Sequence, residues 1–170
     1  MVLWLTGAPG LAEEVADELW ALLPGARVVD PGPLDGVTGA GALAELEGSA
    51  GWRALLATAA AELVAWRSER LLVPRPVLDR RVWGVVEAAL LRAGLDAALV
   101  ELDADDEEQR RRVREARVAV PRRLREVEEH ARAREWLLVR ADVVVDTAGL
   151  TAAQVARRVA GRLGMDAGVR

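Results

Sequence analysis

The residues from Gly7 to Glu14 have the outline of a phosphate-binding loop but lack the side chains that give such a loop its chemistry. A loop of this kind reads G-x-x-x-x-G-K-[ST], in which the lysine contacts the β- and γ-phosphates and the hydroxyl group holds Mg²⁺. Here the first glycine is present, whereas the last three positions are Ala12, Glu13 and Glu14. A carboxylate in place of the lysine turns attraction into repulsion, worth several kcal/mol at about 4 Å and an effective dielectric of about 20.

Three interpretations of the carboxylates of Glu13 and Glu14 are open. Both can simply complement the positive N-terminal end of the helix that follows. Alternatively, they face a cationic ligand or a metal ion in a former phosphate site, or the turn from Gly7 to Gly10 keeps a residual affinity for nucleotides. The chain has no cysteine and one histidine, which excludes metal sites built from thiolates or several imidazoles, and no metal site is predicted.

Four further candidates lie where strands end or a glycine-rich segment begins. Asp30 ends a predicted strand and is either a base or orienter for a hydroxyl group, or a turn-forming residue before a proline. Arg75 is held between two prolines and is a candidate anion ligand. Trp52 and Arg53 open a helix beside the glycine-rich segment 35–51. They can stack on a ring and pair with an anion, or they can be a core residue and a solvated residue.

These candidates must be positioned by a sheet, because short apolar runs alternate with longer amphipathic segments along the chain. The predicted strands are Val2–Thr6, Ala26–Asp30, Leu71–Pro74, Ala97–Leu102 and a run within Ala141–Thr147. The predicted helices are Leu11–Leu23, Trp52–Arg67, Val77–Arg92, Asp105–Arg117, Pro121–Trp136 and Thr151–Leu163, with a loosely helical segment at 34–50. This alternation predicts an α/β fold with a buried, five-stranded parallel sheet. One domain is expected over residues 1–164, with a frayed tail at 165–170.

Length and composition limit the class of protein. With 170 residues, 52% of them hydrophobic, the chain suits one domain with one buried core. A net charge of −4 argues against a general nucleic-acid binder. No apolar run reaches the ~18 residues of a membrane span, and the N-terminus lacks a signal-peptide pattern, so a cytoplasmic protein is expected. Lys, Ile, Phe, Tyr, Asn and Cys are missing, which indicates a GC-rich genome or, alternatively, a deliberately simplified alphabet.

Five segments, in this order, resemble the small P-loop kinase-like proteins, grouped with the AAA-family ATPases, that include the tunicamycin-resistance proteins. They are Val2–Gly10, Leu22–Pro31, Gly51–Arg53, Leu72–Pro74 and Ala141–Val155. The resemblance covers most of the chain. It implies a three-layer, nucleoside- or shikimate-kinase-like domain that acts on small molecules, including antibiotics, and it places Asp30 beside the acceptor site. The sequence departs from the family at the phosphate loop, so the Walker A motif is degenerate.

The resemblance also implies a lid at about residues 105–135, where arginines of such kinases clamp a phosphate. From this arginine-rich stretch, Arg117 is the candidate ligand. The alternative is a solvated helix pair with i,i+4 ion pairs, because glutamates alternate with the arginines. The interleaved acids also cancel the positive field that nucleic-acid binding needs. His130, the only histidine, is expected on the surface of this helix pair.

Together these features favour a degenerate kinase-like protein that has lost ATP-dependent phosphotransfer and binds a small molecule or a partner in the retained crevice, without a cofactor. One alternative is an active small-molecule phosphotransferase or resistance protein that uses ATP and Mg²⁺. Another is an enzyme that uses Glu13, Glu14 and Asp30 for acid–base or metal-assisted chemistry. The ligand is expected at the carboxyl ends of the first three strands, under the glycine-rich segment 35–51. The mixed charges there favour a zwitterionic or amine-bearing ligand.

Overall fold

The computed structural model of the chain describes residues 1–7, 9–29 and 70–165. The strands are β1 (Val2–Gly7), β2 (Ala26–Val28), β3 (Arg70–Pro74), β4 (Ala97–Asp103) and β5 (Val143–Asp146). The helices of these ranges are α1 (Leu11–Leu22), α2 (Arg80–Arg92), α3 (Asp106–Ala116), α4 (Val120–Arg140) and α5 (Ala152–Arg162). The predictions for Asp30, Trp52, Arg53 and the segments 34–51 and 52–67 lie outside the described residues.

All five strands are parallel, in the order β2-β3-β1-β4-β5. β1 is central, because Val2 pairs with Leu71 of β3 on one side and with Ala97 of β4 on the other. Every residue of β1 is buried, which explains its uninterrupted apolar run. The chain passes from one side of β1 to the other between β3 and β4, so the topological switch point lies at the carboxyl end of β1.

The two faces of the sheet carry separate cores, because successive side chains of a strand point to opposite faces. On one face, Leu3 and Leu5 of β1 pack with residues of α1 and α5. On the other face, Val2 and Trp4 pack with residues of α2 and α4. Trp4 meets the indole of Trp83 edge to face, with ring centroids 5.9 Å apart. The described residues therefore form three layers, as predicted.

Two helix boundaries differ from the prediction by more than one residue. α2 begins three residues later than expected, because Asp79 is its N-cap and accepts a 2.6 Å hydrogen bond from the N–H of Arg81. Val77 instead lies before the helix, and its N–H donates to Thr6 Oγ1 at 3.1 Å. α4 continues four residues beyond Trp136, because its last turn still buries Leu137 against the sheet.

The last helix and its end agree with the sequence more closely. Thr151 is the N-cap of α5 in a reciprocal capping box with Gln154, as the sequence predicts for the cap. Met165, the first residue of the expected tail, is buried against the core on the α1 and α5 face. Residues 166–170 are not described, so their fraying stays a prediction. Within the described ranges, no helix has the length and apolarity needed to cross a membrane.

Candidate functional site

The turn after β1 follows a path that requires glycine at two positions. Gly7 has a φ of 146°, and a Cβ there would stand 2.5 Å from the carbonyl oxygen of Leu102 and 2.7 Å from its Cβ. Gly10 has a φ of 88° and is the N-cap of α1. The backbone therefore needs both predicted ligand-binding glycines, whatever the turn binds.

The start of α1 presents uncapped backbone N–H groups to this turn. Gly10 offers no side-chain cap, so the positive end of the helix dipole is exposed to the turn. Leu11 and Ala12 are buried, whereas Glu13 and Glu14 are exposed. The two carboxylates thus lie on the solvent side of the first helical turn. This placement supports the dipole interpretation and also leaves them at the rim of the turn.

The guanidinium of Arg123, which is distant from Gly10 in the sequence, lies against this glycine. A Cβ built on Gly10 would stand 2.8 Å from Nη1 of Arg123 and 3.3 Å from its Cζ. Arg123 is in the first turns of α4 and is partly buried. Within the part of the chain that the structure describes, its side chain makes no hydrogen bond or ion pair. The turn therefore has a cation beside it, although the chain has no lysine.

Arg123 comes from the predicted lid stretch, but it is not the arginine that the sequence singled out. Arg117 is the C-cap of α3, exposed, with a φ of 54°. No contact among the described residues joins Arg117 to the turn after β1, and its part in binding stays a prediction. Arg123 lies four residues before Val127 and seven before His130, which are both buried, so it shares their face of α4. The sequence alone does not show that these two residues are buried.

Several other arginines of α3 and α4 form ion pairs within the helix pair, as predicted. Arg111 bridges Glu108 and Glu115, and Arg122 contacts Glu126 at 2.9 Å. Hydrogen bonds from Arg112 and Arg111 lower the pKa of the partly buried Glu108 carboxyl. Exposed pairs of this kind add little stability, because water screens them.

Arg75 is fixed by its backbone at the same edge of the sheet. Its N–H donates to the carbonyl oxygen of Leu5 at 3.1 Å, and its carbonyl oxygen accepts a 2.8 Å hydrogen bond from Trp4 Nε1. Both bonds tie the end of β3 to β1, at Leu5 and Trp4, shortly before Gly7. The half-buried side chain of Arg75 thus starts beside the turn, as the sequence predicts for the carboxyl end of the third strand.

Beneath the turn, β4 carries a buried carboxylate that the sequence analysis missed. Glu101 is level with Thr6 of β1 in the sheet and is fully buried. Its Oε1 lies 2.8 Å from Nε2 of His130, and Nδ1 of that ring lies 3.1 Å from Nε2 of Gln109. Gln109 Nε2 also donates to the carbonyl oxygen of Ala104 at 2.8 Å. One network therefore joins β4, α3 and α4.

The expectation of a surface position for His130 is wrong. Its side chain is 1% exposed, because it lies on the stripe of α4 that faces the sheet and both of its ring nitrogens have partners. Its charged neighbours in the sequence obscure this stripe. The sequence does hold a signal for the partner of His130, because Glu101 is the single acidic residue within the apolar run 97–102.

The hydrogen bonds fix the tautomer of His130. A carbonyl oxygen can only accept, so the atom of Gln109 that faces Ala104 is its amide nitrogen. The same nitrogen faces Nδ1 of His130, which must then be an acceptor. The remaining proton of a neutral ring is on Nε2 and is donated to Glu101. Among the described side chains, Oε2 of Glu101 and Oε1 of Gln109 are buried without a hydrogen-bond partner.

Burial raises the pKa of the Glu101 carboxyl, and the opposing hydrogen bond from His130 is the smaller effect. Asp103, two residues further along β4, also raises this pKa, whereas Arg134 lowers it. Those two groups are paired with each other, with distances of 2.7 Å and 2.8 Å between the guanidinium nitrogens and the carboxylate oxygens. Glu101 therefore keeps its proton to a higher pH than an ordinary carboxyl group does.

A metal centre finds no support in the described ranges. They contain no group of three or more His, Cys, Asp or Glu side chains that could hold a metal ion. Asp30, which the sequence pairs with Glu13 and Glu14 for metal-assisted or acid–base chemistry, is outside these ranges. The ligand roles proposed for Trp52 and Arg53 are outside them as well.

Structures with the same fold belong to P-loop kinase-like proteins. The tunicamycin resistance protein of Deinococcus radiodurans aligns with a TM-score of 0.70 and 23% sequence identity, over 99% of this chain and 98% of that one. The APS kinase of Mycobacterium tuberculosis, in complex with AMPPNP and APS, aligns with a TM-score of 0.57 and 18% identity, over 96% of each chain. No protein-family model matches the sequence, and no curated protein is significantly similar to it. The P-loop kinase-like fold predicted from the sequence is confirmed.

Proposed function

We propose that this protein is a degenerate member of the P-loop kinase-like fold that binds a small molecule in the retained crevice and does not transfer phosphate from ATP. The bound group is a single anion, a carboxylate or one phosphate or sulfate group, at the start of α1. The observation that carries the proposal is the guanidinium of Arg123 against Gly10. This cation supplies a positive charge where the loop itself has none.

The charges around the turn favour one anionic group over a triphosphate with Mg²⁺. The N–H groups of α1 and Arg123 supply donors for one anion. Glu13 and Glu14, at the rim, repel the extended negative charge of a triphosphate, and no Ser or Thr stands at the loop position that holds Mg²⁺. The same carboxylates would attract a nearby ammonium group, so a zwitterionic ligand satisfies both sides of the turn.

Calorimetric titration tests this proposal with inorganic sulfate, a set of amino acids as zwitterions, and Mg-ATP. We expect sulfate and at least one zwitterion to bind and Mg-ATP not to bind. Arg123→Gln should weaken anion binding about tenfold, because a charge-assisted hydrogen bond is lost. Arg125→Gln is the matched control, because Arg125 is exposed on the same helix. Equal affinities in both variants would refute the site.

An active small-molecule phosphotransferase is the second candidate. The likeness in fold to an APS kinase that binds AMPPNP and APS favours it, and Arg123 is placed where it can contact a transferred phosphate. This candidate predicts micromolar binding of Mg-ATP and release of ADP with an acceptor. Nucleotide binding by the unaltered protein would therefore replace the first proposal with this one.

A further inference from the structure

The buried network of Glu101, His130 and Gln109 has no part in the proposed binding of the anion, yet it fixes the helix that carries Arg123. α4 faces the sheet with a stripe spaced four, three, four and three residues apart: Arg123, Val127, His130, Arg134 and Leu137. His130 is two helical turns, about 10 Å, from Arg123 along this stripe. A displacement of α4 at His130 therefore displaces Arg123 relative to Gly10.

One proton decides the charge of this network. Gln109 donates both of its amide hydrogens, to Ala104 and to His130, and the ring hydrogen on Nε2 is donated to Glu101. Protonation of His130 at Nδ1 would place a hydrogen against the amide hydrogen that Gln109 donates, so this arrangement of hydrogen bonds requires the neutral ring. The network is therefore neutral when Glu101 is protonated on its unpartnered Oε2 and carries a buried negative charge when that proton leaves for bulk water.

The surrounding groups offset this charge only in part, because burial raises the pKa of Glu101 more than His130 and Arg134 lower it. From β4, Asp103 faces Glu101, and from α4, Arg134 does, but these two are paired with each other. From α3, Asp106 acts on Arg134 and adds negative charge. The residue level with Glu101 in β1 is the uncharged Thr6. A buried carboxylate whose charge is incompletely compensated is costly, and the nearest relief is water entry between β4 and α4.

We propose that Glu101 is a positioning residue whose protonation holds α4, and with it Arg123, over the turn after β1, so that release of its proton weakens anion binding. The proton passes from Oε2 of Glu101 to solvent, and no other covalent change occurs. This inference rests on the proposed function, because it assigns a regulation to the same site. A rise in pH then moves α4 and Arg123 away from the turn after β1.

The test uses sulfate, whose own charge is constant between about pH 5 and pH 8. Calorimetry of the unaltered protein should show the affinity for sulfate falling at least about fivefold as the pH rises from the ordinary carboxyl value of 4.5. Glu101→Gln keeps the shape and the acceptor for His130 but cannot ionise, so its affinity should stay constant. Glu129→Gln, an exposed change on the same helix, should retain the fall. An equal fall in the Glu101→Gln variant would overturn the inference and leave the proposed function intact.

The single histidine provides a second measurement that needs no variant. The ring nitrogen shifts of His130 in NMR spectra should show the neutral Nε2–H tautomer, with a further shift at the pH midpoint at which the affinity falls. A charged ring over this interval, or shifts independent of pH, would overturn the inference. If sulfate binds at no pH, the proposed function fails. Amide hydrogen exchange in α4 then tests the inference. Protection should fall as the pH rises in the unaltered protein and stay constant in Glu101→Gln, and the same behaviour in both proteins would overturn the inference.

Discussion

The guanidinium of Arg123 rests on Gly10, with Nη1 2.8 Å from the point at which a Cβ of that residue would stand. The glycine thus serves two purposes: it allows the left-handed backbone at the start of α1, and it leaves the space that Arg123 occupies. The first purpose belongs to the fold and the second to the site, and variants can separate them.

Gly10→Ala should lower both stability and anion affinity. The positive φ costs the alanine about 1 kcal/mol of folding free energy, and its Cβ pushes Arg123 away. Gly94→Ala is the control, because Gly94 has a φ of 75° with open space around a Cβ. Thermal unfolding should show similar losses for both variants, whereas calorimetry should show weaker sulfate binding for Gly10→Ala alone. Equal sulfate binding in the two variants would contradict this prediction.

Mg-ATP at about 1 mM should leave the melting temperature of the unaltered protein unchanged, because Glu13 and Glu14 repel the triphosphate. A ligand that bound the native state would raise this temperature by mass action. The triple variant Ala12→Gly, Glu13→Lys and Glu14→Thr should gain nucleotide binding, since it supplies the missing lysine and hydroxyl group. The double variant Glu13→Gln and Glu14→Gln removes the repulsion without adding ligands and should gain less. No gain in the triple variant would mean that the shape of the turn, and not only its charge, departs from a phosphate loop.

The stability of the protein should fall as the pH rises, through Glu101. The raised pKa means that the folded protein binds this proton more tightly than the unfolded chain. The contribution is complete below the ordinary carboxyl value of 4.5 and is lost as the pH passes through the raised folded value. Urea unfolding at a series of pH values measures the slope, which Glu101→Gln should reduce and Glu129→Gln should not. A slope unchanged in Glu101→Gln would assign it to other groups.

His130→Phe should destabilise the fold although it leaves no cavity. The phenyl ring fills the space but leaves Oε1 of Glu101 and an amide hydrogen of Gln109 without partners, at about 1–3 kcal/mol for each buried group. The double variant His130→Phe with Glu101→Leu removes one of these orphaned groups and should recover part of the loss in urea unfolding. A double variant as unstable as the sum of the two single variants would indicate that the groups are not coupled.

The sequence predicts the sheet well because its signals are local. β1 and β4 are apolar runs beside turns, and Thr151 starts α5 with a cap three residues from its partner. The start of α2 was misplaced because Val77 and Leu78 fit the apolar periodicity, whereas the capping carboxylate of Asp79 decides the boundary. Local rules of propensity and capping therefore account for most of the architecture.

The site is less predictable because its contacts join residues that are distant in the sequence. His130 is 29 residues from Glu101 and 21 residues from Gln109. Its neighbours along α4 are mostly charged, which indicates a solvated helix. Nothing in the sequence distinguishes Arg123 from the other arginines of the stretch 105–135, because its contact with Gly10 depends on how α4 packs against the sheet. Tertiary packing, and not local propensity, selects the members of this network.

The central place of β1 has a consequence for the protein during its synthesis. Val2 pairs with Leu71 and Ala97, so the first strand of this sheet gains its neighbours only after β3 and then β4 have been synthesised. A ribosome that adds about 5–20 residues per second needs several seconds to reach β4 after β1 has emerged. This fully buried strand has two open edges until β3 is synthesised and one open edge until β4 follows. The nascent chain should therefore depend on early packing of α1 against β1, or on a chaperone, to keep this strand from aggregating.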